Sequence, residues 1–294
     1  MQSSVPVSRP AWVSAMNVLT GSGGTTRRSP VEIVANAASV VTRSPAAGVT
    51  GIRHGKLGRW TDGVAELRAD RTEFAAYWDE HNNRVLNDRE RTLRRGETPD
   101  PLWAVLGDST AQGLGAPGPR GGYVGQTLHQ LRRTTGRHWR VLNLSVSGCL
   151  TRDVVGGQLP LLHELDRQPE LITCGAGAND ILYSAPGKLF SDLRALLAAV
   201  PEETVMLDLP LLTGFWWIVG QMSVPYISRI NRVIREVADE RGMRVAEISR
   251  FFVPPWAGKF SVDNFHPSQD GYRDWSRALI QALPAAGAGA AAAA

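Results

Sequence analysis

Serine, histidine and aspartate stand in an order that suits acyl transfer. Gly107-Asp108-Ser109-Thr110 follows the apolar run Pro101-Leu-Trp-Ala-Val-Leu106, and far downstream the chain reads Asp263-Asn-Phe-His266-Pro267. Cleaving an ester needs a hydroxyl made nucleophilic, a base to take its proton, and donors for the oxyanion that develops. Ser109 supplies the hydroxyl at a strand-to-loop turn. Asp263 and His266 are three residues apart, close enough for the carboxylate to hold one ring nitrogen while the other faces the serine. Pro267 is expected at the first position of a helix over 268–283, fixing His266 at its start. Donors are available between these ends. Gly148 in Asn143-Leu-Ser-Val-Ser-Gly offers an unobstructed N–H, Asn179 in Gly177-Ala-Asn-Asp180 offers an amide, and the N–H of Ser109 is the third.

Each fragment has an ordinary structural explanation. Gly-Asp-Ser is commonly a plain turn, Asn-Asp after a strand is commonly a helix cap, and Asp-x-x-His can be a surface pair. Their order, one after each of four apolar runs, outweighs those explanations. Together, Gly107–Ser109, Gly148, Gly177–Asp180 and Asp263–His266 resemble the four sequence blocks of the SGNH (GDSL-type) hydrolases. The resemblance extends over roughly 98–284 and leaves residues 1–96 outside. It implies a flavodoxin-like three-layer α/β/α sandwich and serine esterase chemistry. On it, Ser109 is the nucleophile, His266 the base, Asp263 its orienter, and Ser109, Gly148 and Asn179 the oxyanion hole. Thr110 stands where the family motif has Leu, a position that forms no covalent bond.

The surrounding pattern agrees with such a fold. Short apolar runs at 102–106, 140–145, 171–174, 204–209 and 243–248 alternate with helical periodicity near 122–136, 188–200, 225–241 and 268–283. This rhythm predicts a parallel sheet of about five strands covered by helices on both faces, with ligands beyond the carboxyl ends of the strands. Residues 1–30 read as a disordered tail and 285–294 as an Ala/Gly tail. Between them, 31–96 read as a helical extension and 97–284 as the hydrolase domain. The extension shows one short apolar stripe over 31–41 and a longer one through Val64, Leu67, Phe74, Ala75, Trp78 and Val85.

Composition excludes several classes. The chain has 294 residues, 43% hydrophobic and 20% charged, with a formal net charge of +4. The lysines are Lys56, Lys188 and Lys259, so arginine carries nearly all the positive charge. Without zinc spacing, an aromatic RNA motif or a dense basic stripe, nucleic acid is not the expected partner. No metal or organic cofactor is expected, so activity should survive chelation and fall in acid as the base becomes protonated. Cys149 and Cys174 are expected as buried free thiols, a single bridge between them being the alternative. Gly113-Leu-Gly-Ala-Pro-Gly118 matches GxGxxG, but no acidic residue lies between Ser109 and Asp153 to hold a ribose. GxSxG is absent around Ser109, against the α/β-hydrolase elbow.

Phe215, Trp216 and Trp217 mark the strongest apolar patch, after the fourth apolar run. It reads either as a buried loop completing the core or as an acyl-binding wall able to touch lipid or micelle surfaces. No apolar stretch reaches the ~18 residues of a membrane span, and no secretory signal is visible, so a cytoplasmic protein is expected, with peripheral membrane attachment left open. The expected substrate is a small acyl ester of short to medium chain. Carbohydrate O-deacetylation, acyl transfer to an alcohol and non-catalytic lipid or partner binding are the competing readings.

Overall fold

The computed structural model describes residues 54–211 and 217–283; the side chains of 54–69 and 217–222 lie outside that description. The tails and the 31–41 stripe fall outside it too. Contacts divide the chain into a unit up to Val64 and a unit from Ala65 to Ala294, and the candidate site residues all belong to the second.

In chain order the elements are α1 (His54–Arg94), β1 (Leu102–Gly107), α2 (Ser109–Gln112), α3 (Tyr123–Thr135), β2 (Arg140–Asn143), α4 (Thr151–Asp153), α5 (Leu159–His163), β3 (Leu171–Gly175), α6 (Ala178–Tyr183), α7 (Pro186–Ala199), β4 (Val205–Leu207), α8 (Trp217–Glu240), β5 (Arg244–Ala246), α9 (Ile248–Phe251) and α10 (Gln269–Ala282). Pairing is parallel throughout, in the order β2-β1-β3-β4-β5. This is the flavodoxin-like order, in which β1 and β3 flank the switch point where a ligand crevice opens.

Alternation along β1 assigns the two faces. Leu102, Ala104 and Leu106 enter one core with Leu189, Leu193, Leu196 and Leu197 of α7 and Ile227, Ile230 and Ile234 of α8. Trp103 and Val105 enter the other, with Tyr123 and Val124 of α3 and Tyr272, Trp275 and Leu279 of α10. Both faces of the strand are buried, which explains why it reads as a continuous apolar run.

Helix α1 closes the sheet at its β2 edge. Asn82 is buried and pairs with the backbone of Asn143 twice: its Nδ2 donates to the carbonyl at 2.7 Å, and its Oδ1 accepts from the N–H at 2.9 Å. His81 Nε2 lies 3.1 Å from the Val141 carbonyl, and Arg140 donates to Asp88 at 2.7 Å. Trp78 joins one core and Val85 the other, so the helix straddles the sheet margin. An edge strand's exposed backbone groups are thereby satisfied by side chains.

The longer stripe of the extension falls on one helix, His54–Arg94, as its spacing leads one to expect. The structure corrects other sequence expectations. The strands are shorter than the apolar runs, because Leu144, Leu209 and Ile248 leave the sheet and pack in the cores beyond it. A helical stretch over 151–163 lies outside the helices expected from the sequence. It forms around a π-turn, Val154–Gln158, with Pro160 in the first turn of α5, where a missing N–H costs little. α8 likewise begins at Trp217 and carries Pro225 inside it.

Candidate active site

Ser109 is the first residue of α2, directly after β1, and is 6% exposed. Asp108 caps that helix: its Oδ1 accepts from the Thr110 N–H at 2.9 Å and from the Thr110 hydroxyl at 2.8 Å. Threonine in place of the motif's leucine therefore adds a tie to the turn. Burial pushes the Asp108 carboxyl up, against the opposing effect of the Thr110 hydrogen bonds. Behind the serine, Gln158 of the π-turn grips Gly107 at both ends, accepting from its N–H and donating to its carbonyl, each at 2.8 Å.

The imidazole comes from the loop between α9 and α10. His266 Nε2 lies 2.8 Å from Ser109 Oγ, and His266 Nδ1 lies 2.6 Å from Asp263 Oδ2. The other carboxylate oxygen accepts from Ser261 Oγ at 2.6 Å and from the N–H groups of Phe265 and His266 at 2.9 and 3.0 Å. Burial alone would raise the Asp263 carboxyl; His266 and these donors outweigh it and hold it at about 2. The carboxylate is therefore ionised throughout the neutral range. Such a chain of groups can draw a proton from a hydroxyl onto an imidazole whose tautomer the carboxylate fixes.

Pro267 does not open the following helix. Ser268 is the N-cap, accepting from the Gly271 N–H at 3.2 Å, and α10 starts at Gln269. Serine can accept at a cap; proline, one residue earlier, instead pairs with Phe260 in an isolated antiparallel bridge. The Ser261 N–H donates to the His266 carbonyl at 2.9 Å and completes this small hairpin. The glycine-rich stretch after α2 has a packing role. A Cβ on Gly115 would sit 2.6 Å from the Pro267 carbonyl and 2.9 Å from His266 Cβ. Only a glycine lets the serine-side loop lie against the histidine loop.

Asn179 belongs to the first turn of α6, not to its cap, which is Gly177. Its Nδ2 donates to the Cys149 carbonyl at 2.9 Å and reaches Asp108 Oδ2 at 3.4 Å. Asp180 binds the loop after β2, accepting from the N–H and hydroxyl of Thr151, both at 2.8 Å. Gly148 occupies a turn over 146–149 with φ of 79°, the left-handed region that glycine tolerates. Gln112 fastens the same loop: its Nε2 donates to the Ser145 carbonyl at 2.9 Å and its Oε1 accepts from Ser147 Oγ at 2.5 Å. Loops after β1, β2 and β3 are thus stitched to one another at the carboxyl edge.

The serine opens onto a cavity of about 40 Å³, lined largely by apolar groups including Ala176, Ile181, Leu209, Ile227 and Phe265 together with Asn179. Phe215 and Trp216 lie outside the described residues. Trp217 opens α8, but its side chain lies outside them too. Both thiols are free and buried. Burial, reinforced by Asp108, raises them, Cys149 well above the ordinary thiol and Cys174 to about 12, so neither is a ready nucleophile.

Of the residues the sequence singles out, the structure brings Ser109, His266 and Asp263 into one run of contacts and ties Asn179 to the Cys149 carbonyl. Gln112 and Gln158, which brace the loops around Ser109, are not singled out, since a buried glutamine that braces a loop has no spacing signature.

The chain matches the model of the GDSL-like lipase/acylhydrolase family over residues 105–273, and it belongs to that family. Among solved structures it is similar to LAE5, an alpha/beta hydrolase enzyme from the metagenome of Lake Arreo, Spain (20% identity, TM-score 0.50, covering 62% of this chain and 94% of that one). TesA is 24% identical, with a TM-score of 0.49 and coverages of 62% and 97%. Axe2, an acetylxylan esterase from Geobacillus stearothermophilus, is 18% identical, with a TM-score of 0.48 and coverages of 62% and 93%. No curated protein matches. At these identities the likeness concerns the fold alone. No helix among the described residues is long and apolar enough to cross a membrane.

Proposed function

We propose that the protein is a serine carboxylic-ester hydrolase acting through an acyl-enzyme. The observation that carries this reading is the unbroken run of short contacts from Ser109 Oγ through the His266 ring to Asp263, 2.8 and 2.6 Å. Ser109 Oγ bonds to the ester carbonyl carbon as its proton passes to His266 Nε2. The carbonyl oxygen becomes an oxyanion facing the N–H groups of Ser109 and Gly148 and the Asn179 amide, for which the long 3.4 Å contact to Asp108 is the bond most easily given up. Collapse breaks the bond to the alcohol oxygen, which takes the proton from His266. Water then attacks the acyl-enzyme, giving its proton to His266, and the second collapse releases the carboxylic acid and restores Ser109.

The small apolar cavity beside Ser109 supports a short acyl group. Hydrolysis of p-nitrophenyl esters should be fastest at acetate to butyrate and fall towards palmitate, and acetylated sugars in the same panel test the alcohol side. Ser109→Ala should remove the activity, by about 10⁴-fold or more. Ester hydrolysis that persists in that variant, or is absent from the unmodified protein across the panel, overturns the reading.

A further inference from the structure

Helix α1 lies N-terminal to the residues matched by the family model, yet it reaches the loop that carries Gly148. Arg71 Nη2 donates to the Ser147 carbonyl at 2.6 Å. The guanidinium also lies over the next residue: a Cβ on Gly148 would be 3.3 Å from Nη2 and 3.7 Å from Cζ.

The Ser147 carbonyl and the Gly148 N–H belong to one planar peptide, and they point in opposite directions. That peptide is the centre of a four-residue turn, closed by the Cys149 N–H on the Val146 carbonyl at 3.1 Å. Gly148 has φ of 79° and Ser147 is not in the left-handed region, which makes the turn type II. Types I and II differ by a half-rotation of that central peptide. In one the Gly148 N–H faces one side of the loop, in the other the opposite side. Glycine permits both, so something else must choose.

We propose that Arg71 makes that choice: it is a positioning residue that holds the Ser147 carbonyl and thereby aims the Gly148 N–H at the oxyanion. A charged donor on the carbonyl also polarises the amide at the other end of the peptide, strengthening the N–H as a donor. Ser147 Oγ, held by Gln112, fixes the side chain but leaves the peptide plane to the arginine. The inference rests on the ester-hydrolase reading and assigns a residue outside the family domain to its transition state.

The test is Arg71→Ala and Arg71→Lys in the full-length chain with p-nitrophenyl acetate. Arg71→Ala should lower kcat by roughly 10-fold, short of the ~100-fold or more for outright loss of an oxyanion donor, with KM within about twofold. Inhibition by a short 1,1,1-trifluoro-2-ketone, whose serine adduct carries an oxyanion, should weaken by the same factor as kcat/KM falls. Arg71→Lys should recover part of both. Thermal melting should be unchanged, because the anchorage of α1 in this unit rests on Trp78, Asn82 and Val85. Unchanged kcat in Arg71→Ala, a defect confined to KM, or loss of rate without weaker trifluoroketone binding overturns the assignment while leaving the hydrolase reading intact. A wild-type protein that cleaves no ester in the panel overturns both.

Discussion

The serine and the histidine reach one point by different means. Ser109 stands at the end of a strand buried on both faces, gripped from behind by Gln158 and capped by a buried aspartate. Its position is set by the sheet and by contacts distant in sequence. His266 lies on an irregular half-buried loop whose geometry is local. Its carboxylate partner is three residues away, Ser261 and Phe265 complete the cage, and Asn264 sits in the left-handed region with φ of 55°. One half of the site is thus a property of the fold, the other of a short hairpin between Phe260 and Pro267. Substitutions should therefore separate into those that change rate with stability intact and those that do the reverse.

The largest effect on the local half is expected from Asp263→Asn, which keeps the shape but presents the wrong hydrogen-bonding partner to His266. kcat should fall by about 10³- to 10⁴-fold. A loss under about tenfold would show that the hairpin backbone alone orients the ring. Next is Asn179→Ala, expected to cost about 10²- to 10³-fold in kcat through the oxyanion. A purely KM effect there would remove Asn179 from the transition state.

On the fold side, Asn82→Ala leaves the buried N–H and carbonyl of Asn143 without their side-chain partner. It should lower stability by about 1–3 kcal/mol, read as a shift in denaturant midpoint, with a smaller change in kcat. Equal activity and equal midpoint would mean that α1 does not brace the β2 edge.

Acid separates the two halves in another way. Asp263 has a folded pKa of about 2, below its unfolded value of 3.8. Its contribution to stability is therefore complete above roughly pH 4 and is lost as pH falls towards 2. Any melting-temperature advantage of wild type over Asp263→Asn should shrink across that window; an advantage that grows in acid would reverse the sign. The smallest effect is expected from iodoacetamide on the native enzyme. Both thiols are buried with raised pKa values, so activity should be retained.

What the sequence disclosed follows the same division. The histidine hairpin is legible because its chemistry is contiguous, with Asp263 and His266 in one short window. The sheet is legible because burial on both faces leaves five apolar runs. The braces are not, because Gln158 meets Gly107, and Asn82 meets Asn143, only after the chain has folded. Pro267 misleads for a local reason, since the neighbouring Ser268 is the better cap. The π-turn that places Gln158 behind the serine has no counterpart among the expected helices, because a contact distant in sequence fixes it.

The helix along β2 also bears on how much of the chain makes a usable protein. A polypeptide trimmed to 97–284 would retain the hydroxyl and the imidazole but bare the outer backbone of Val141 and Asn143, a template on which another molecule's strand could add. Dividing this chain there should therefore yield sticky, self-associating material, and the stretch before β1 is best regarded as the sheet's hem.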